Sequence, residues 1–169
     1  MLAWIKEMAD MCQPDQQVWI DGSEEQLEAL RAEAVATGEM IKLNEEKLPG
    51  CYYHRTAPND VARVEDRTFI CTETEEEAGP INNWMEPAKM YAKLNALYEG
   101  SMKGRTMYII PYSMGPVGSP FSKIGIELTD SIYVVLNMAI MTRVGKAVID
   151  QLGNDDNAEF VKCLHAKKD

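Results

Sequence analysis

Histidine is scarce in this chain. The 169 residues hold two, His54 and His165, far apart and in neither an HxxxH nor a CxxH pattern. That argues against a metal site built from the pair. Four cysteines, Cys12, Cys51, Cys71 and Cys163, form no CxxC pair, so the usual zinc spacing is missing too. Apolar runs are short. The longest, residues 132–141, is interrupted by Asn137 and falls well below the ~20 residues that span a bilayer. The first residues carry Lys6, Glu7 and Asp10 where a secretion signal needs a basic start and an apolar block. Positive charge is also in deficit: 17 Lys and Arg stand against 27 Asp and Glu, a net charge of -10. Non-specific nucleic-acid binding needs the opposite sign to displace counterions. These absences predict a cytoplasmic protein with reduced thiols and no membrane or nucleic-acid partner.

What is present is enough for one domain, residues 1–169, with a real core: 46% of residues are hydrophobic, which excludes a generally disordered chain. Leu2, Ile5, Met8 and Cys12 have helical spacing, ended by Pro14. Residues 18–20 read as a strand, and Asp21-Gly22 as a turn. Ser23 with Gln26 three positions on is a capping box for a helix whose buried face is Leu27, Leu30 and Ala34. This opening is not a dinucleotide fold. Its turn has one glycine, and Asp21, Glu24 and Glu25 would repel a phosphate.

Short strands are expected at 41–43 and 51–53, a helical turn at 58–62 with Pro58 near its start, and a strand at 67–72. The acidic stretch 73–77 reads as a solvated loop. Residues 86–99 read as an amphipathic helix with Met90, Leu94, Leu97 and Tyr98 on one face. Strands are expected at 106–112, 124–128 and 132–139. A helix capped by Thr142 should run to Leu152, and a last strand should cover 160–165. Cys71 and Cys163, in strand-like runs, are expected to be buried. The alternation of helices with strands, followed by closely spaced strands, predicts an α/β fold with a mixed β-sheet and flanking helices.

One long ordered series of residues says more than any single short motif. It begins at KGRTMYIIPYSMGPVGSPFSKIGIELTD, residues 103–130, and continues as SIYVVLNMAIMTRVG to residue 145. Upstream lie DVARVE (60–65), RTFIC (67–71) and AGPINNWM (78–85); downstream lies EFVKCLH (159–165). In these residues the chain resembles the GTP-dependent phosphoenolpyruvate carboxykinase family, over roughly residues 13–165. The resemblance implies a matching fold, with helices around a mixed sheet. It also implies the N-terminal, substrate-side part of a longer enzyme of gluconeogenesis or anaplerosis, monomeric when full length. That enzyme turns oxaloacetate and GTP into phosphoenolpyruvate, GDP and carbon dioxide. The family's nucleotide loop and metal ligands have no counterpart here. GTP and Mn2+ (or Mg2+) are therefore implied for the full-length enzyme, in a C-terminal domain packed on this one, and none is expected on this chain alone.

Arg63 is the one residue singled out for substrate binding. The matching arginine of the family binds a carboxylate of oxaloacetate or phosphoenolpyruvate. A guanidinium suits that task, because its planar fork gives a carboxylate two parallel hydrogen bonds and stays charged. The competing reading is an ion pair with Asp60, Glu65 or Asp66. No catalytic, cofactor or metal residue is assigned. The loop 113–119 offers glycines and serines to an anion, but lacks the Gly-Lys-Ser/Thr ending and loses donors to Pro116 and Pro120, so a rigid strand connection is preferred. Lys103, Arg105 and Arg143 read as surface charges or ion-pair partners, and Asn82-Asn83-Trp84 as helix capping with an aromatic anchor. Two other classes stay open: a stand-alone module binding a small carboxylate or a partner protein, and a scaffold without ligand contact.

Overall fold

Ile5, Ala9 and Cys12 recur at helical spacing and are buried on one face of helix α1 (Leu2–Cys12). Gln13 closes it in the left-handed conformation (φ 56°), its N–H donating to Ala9 O. The computed structural model describes residues 1–58, 64–153 and 158–167. Strand β1 (Gln16–Trp19) follows, then helix α2 (Glu24–Ala36). Ser23 caps α2 by accepting a hydrogen bond from Gln26 N at 3.2 Å, and Glu24 and Glu25 stand at its positive end, where acids are favoured. A small antiparallel pair comes next, β2 (Ile41–Lys42) and β3 (Tyr52–Tyr53).

The chain then builds a second compact unit, Thr56–Glu99, apart from the larger one made of Met1–Arg55 and Gly100–Asp169. In the smaller unit a 3-10 turn (Glu65–Arg67) leads to strand β4 (Phe69–Ile70), shorter than the 67–72 expected. The acidic stretch is not a loop: it forms helix α3 (Glu75–Ala78), because Thr74 and Glu77 make a reciprocal capping box and the acids favour a helix start. Strand β5 (Asn83–Trp84) pairs parallel with β4. Asn83 Nδ2 donates to Glu65 O (2.6 Å), and Trp84 Nε1 donates to Thr72 O (3.0 Å). These residues thus pin the unit together and do not cap the next helix. That helix, α4 (Pro87–Tyr98), is one residue shorter at each end than the 86–99 expected, with Pro87 in its first turn, and buries none of its residues.

The larger unit resumes with strands β6 (Thr106–Met114) and β7 (Lys123–Thr129). Residues 132–139, expected as a strand, are instead helix α5 (Ile132–Met141). A β-branched apolar run of this length has no decisive period of its own. Ser131 decides it by accepting from Val134 N, and Ile132, Val135 and Leu136 then fall on one buried face. Thr142 ends this helix instead of starting the next; its N–H and hydroxyl both donate to Met138 O. Strand β8 (Arg143–Val144), helix α6 (Lys146–Leu152) and strand β9 (Val161–His165) complete the chain.

The main sheet has the order β1-β6-β7-β9, with β8 beside β6. β6 runs parallel to β1 and antiparallel to β7, and β7 runs parallel to β9. The sheet is mixed and carries helices, which is the α/β architecture expected. One core packs Leu27, Leu30 and Ala34 of α2 and Ile132, Val135 and Leu136 of α5 onto Tyr108 and Ile110 of β6. Each large side chain buried there stabilises by ~1.5–3 kcal/mol.

Candidate functional site

Arg63 lies outside the described residues, as does most of the helical turn expected at 58–62. The other sequence candidates can be placed. Arg105, just before β6, is an ion-pair residue: its Nε lies 2.7 Å from Asp130 Oδ2. Asp130 is fully buried at its side chain and follows β7. The Arg105 guanidinium also donates to Ser101 O and Lys167 O, and Lys167 N donates to Asp130 Oδ1 (2.8 Å). One buried carboxylate thus ties the start of β6, the end of β7 and the chain beyond β9. Lys103 is exposed. Arg143 is exposed too, and stands on β8, not in a helix.

The loop after β6 behaves as a connection. Gly118 N donates to Gln151 Oε1 (2.7 Å), Ser119 N to Pro116 O (3.1 Å) and Ser122 N to Ser119 O (3.1 Å). These donors are engaged within the fold and are not held ready for an anion.

Two polar groupings were not foreseen. The first surrounds Glu39 at the start of α5. Its Oε1 accepts from Tyr133 N (3.2 Å), Lys167 Nζ (3.0 Å) and Ser131 Oγ (3.4 Å). A carboxylate belongs at this positive helix end. The backbone O of the same residue accepts from His54 Nδ1 (2.7 Å), and the His54 ring stacks on Tyr133 with centroids 4.0 Å apart and planes 20° from parallel. His165 Nδ1 meets Thr129 Oγ1 at 2.9 Å.

The second grouping crosses three strands. Tyr112 on β6 reaches over β7 to Cys163 on β9, its hydroxyl 3.3 Å from Sγ. Gly125, opposite Tyr112 in the register, makes this possible. A Cβ there would stand 2.4 Å from the Tyr112 ring. Glu127 is paired with Cys163 across β7 and β9. Burial pushes the Glu127 carboxyl up to about 7, against a small downward pull from the Cys163 thiol. Burial also raises the Cys163 thiol and, with the thiol bond, the Tyr112 phenol. All three favour their neutral forms, so the grouping is a hydrogen-bonded packing cluster without an activated nucleophile. Cys163 is half-buried, as is Cys71; the fully buried cysteine is Cys12. Alternation along each strand hinted at a shared face, but nothing local in the sequence joins positions 112, 127 and 163. Among the described residues, no group of three or more His, Cys, Asp or Glu is placed to hold a metal ion. None of their helices is long and apolar enough to cross a membrane.

Comparison with known proteins adds what the geometry leaves open. The family described as phosphoenolpyruvate carboxykinase N-terminal domain matches residues 3–169. A protein of Anaeromyxobacter dehalogenans (strain 2CP-C) named phosphoenolpyruvate carboxykinase (GTP) is 56% identical over the whole of this chain, which covers 28% of that protein. Proteins of the same name from Corynebacterium kroppenstedtii and Neocallimastix frontalis are 54% and 55% identical over 98% of this chain, covering 26% and 27% of their own length. The chain therefore spans about a quarter of the length of these curated relatives.

Proposed function

The chain belongs to the phosphoenolpyruvate carboxykinase N-terminal domain family, and from that premise we propose that it is the substrate-side part of a cytoplasmic, GTP-dependent carboxykinase. In this reading the full-length enzyme decarboxylates oxaloacetate to an enolate. It then transfers the γ-phosphoryl group of GTP to that enolate, giving phosphoenolpyruvate, GDP and carbon dioxide. The observation that carries the reading is the 56% identity over all 169 residues to a relative of that name.

Mn2+ or Mg2+ and GTP belong to the rest of the full-length protein in this proposal. Among the described residues no three of His, Cys, Asp or Glu are grouped to hold a metal ion, and in the glycine loop Gly118 N and Ser119 N donate within the fold. No step is routed through either group here. This chain contributes Arg63 as a contact to the substrate carboxylate, together with the sheet that carries the enzyme's N-terminal part.

One charged hydrogen-bonding contact is worth about 1.5–3 kcal/mol, whereas even millimolar binding needs about 4 kcal/mol. Arg63 alone falls short, so we expect these 169 residues by themselves to show no carboxykinase turnover and no measurable GTP binding. The test is Arg63→Ala in the full-length enzyme. Loss of the contact should raise KM for oxaloacetate roughly 10- to 150-fold and leave KM for GTP nearly unchanged. An unaltered KM for oxaloacetate would make this region a scaffold and remove Arg63 from the substrate.

A further inference from the structure

In the larger unit, the first turns of α1 and the start of β9 border an open groove of about 930 Å³. That volume lies in the range of about 300–1,000 Å³ that small-molecule sites occupy. Two aromatic rings line it. Trp4 of α1 and Phe160, next to β9, have centroids 5.8 Å apart and planes tilted by 59°, and both are half-buried. Lys162 Nζ lies over the Phe160 ring, 5.9 Å from its centre. Glu7 lines the same groove.

Each wall has the same order, a ring and then a charge. On α1, Glu7 comes three positions after Trp4, about 4.5 Å further along the axis. On the other wall, Lys162 comes two positions after Phe160, roughly 6.6 Å further on. The two segments run in the same sense. Trp4 meets Phe160 at the start of both. At the far end Cys12 O accepts from Met102 N (2.9 Å), and Arg105, just beyond, donates to Lys167 O (2.7 Å). An acid and a cation therefore lie on the same side of one aromatic pair. Both are exposed, and among the described residues neither makes an ion pair. Lys123 and Glu159 add one more charge of each sign to the groove. On a chain of net charge -10 this groove is locally balanced, and it offers a counter-charge to a cation and to an anion at once.

We propose that this groove binds an aromatic amino acid as its zwitterion, with the ring against Trp4 and Phe160, the carboxylate on Lys162 and the ammonium on Glu7. Paired rings take a third ring by offset or edge-to-face contact. A ligand with one charge would leave either Glu7 or Lys162 without a partner, and a ligand without a ring would leave the aromatic pair in water. A zwitterion presents both charges from one carbon atom, which is the complement of an acid and a cation side by side.

The experiment is isothermal titration of the full-length enzyme with L-phenylalanine. Saturable binding with a Kd of about 1 mM or tighter is expected. 3-Phenylpropionate, which lacks the ammonium, and phenethylamine, which lacks the carboxylate, should each bind about two- to fivefold more weakly. L-Alanine, which lacks the ring, should bind about tenfold more weakly. Lys162→Met and Glu7→Gln should each raise Kd for L-phenylalanine about two- to fivefold. Trp4→Ala should raise it about three- to tenfold, and Trp4→Phe, which keeps a ring, should recover most of that loss. Lys146→Met, which alters an exposed lysine of α6 paired with Asp150, should change nothing. Absence of saturable binding overturns the proposal. So does equal affinity for L-phenylalanine, 3-phenylpropionate and phenethylamine, because the charges would then play no part. Binding that is unaltered in both Lys162→Met and Glu7→Gln puts the ligand elsewhere and overturns it too. Should Trp4→Ala fail to fold, these two substitutions of exposed side chains still decide.

Discussion

Glu127 shows how much one position can owe to distant parts of the chain. Its carboxyl sits on β7 between Tyr112 and Cys163, and burial raises it to about 7 from an ordinary value of 4.5. A carboxyl raised on folding holds its proton better in the folded state, so its contribution is fully present below about 4.5 and is lost as the pH climbs through about 7. Part of Glu127 still meets solvent, which reduces the effect to roughly 2 kcal/mol. For a chain of this size that corresponds to a shift of about 4–8 °C in Tm between pH 5 and pH 8. Glu127→Gln, neutral at every pH, should remove that portion of the pH dependence. The measurement is the Tm difference between pH 5 and pH 8 in both proteins; equal differences would mean that Glu127 does not titrate in this window. Nothing in the sequence around position 127 announces this. The alternating pattern of β7 is legible, but the neighbours that Glu127 senses are a tyrosine 15 positions earlier, let across by Gly125, and a cysteine 36 positions later.

Elements defined by their own caps and periods were readable, and those defined by neighbours were not. α1 and α2 carried apolar spacing, and α2 a serine cap as well, and both formed where expected. β6, β7 and β9 carried β-branched runs between turn residues, and they form the sheet. α5 was misread because its Ile and Val content favours strands, whereas its fate was settled by Ser131 and by packing against α2. The junction after it was misread for the same reason. Gly145 holds φ 103°, and a Cβ there would stand 2.0 Å from Asp21 O. Its N–H donates to Pro111 O (2.9 Å), and Lys146 N donates to Asp21 O (3.1 Å). β8 and α6 can therefore exist side by side only if residue 145 has no side chain. Gly145→Ala must either force the Asp21 turn away from β8 or strain the backbone at positive φ. A loss of about 2–4 kcal/mol is expected, read by urea unfolding. A loss under about 0.5 kcal/mol, the size of an ordinary surface change, would show that the two segments are not in contact in solution.

At the scale of the whole molecule, family membership was legible because the matching residues run in order along nearly the entire chain. What no local pattern showed is how much apolar surface the larger unit leaves uncovered. Phe121 is 90% exposed, Ile140 80% and Met141 71%. The pairing of Ser113 with Arg143 brings the end of β6 beside β8, the strand that follows α5, and Met114 at that rim is 55% exposed. Large apolar side chains left this far in solvent become a liability for a protein that works alone wherever they adjoin. In the proposed carboxykinase they fit a surface that the remaining three quarters of the enzyme covers. In isolation the chain should cover it by self-association, opposed by its net charge of -10. The two terms respond differently to salt. Screening weakens the repulsion between like-charged copies and leaves apolar burial intact, so the mean mass in sedimentation equilibrium should rise both with protein concentration and with added sodium chloride. Phe121→Ser combined with Ile140→Ser should return the mass toward 19.0 kDa without loss of fold, since both side chains are largely in solvent. A mass fixed at the monomer value across concentration and salt would show that this rim is tolerated in water, and would remove the argument that it awaits a covering surface.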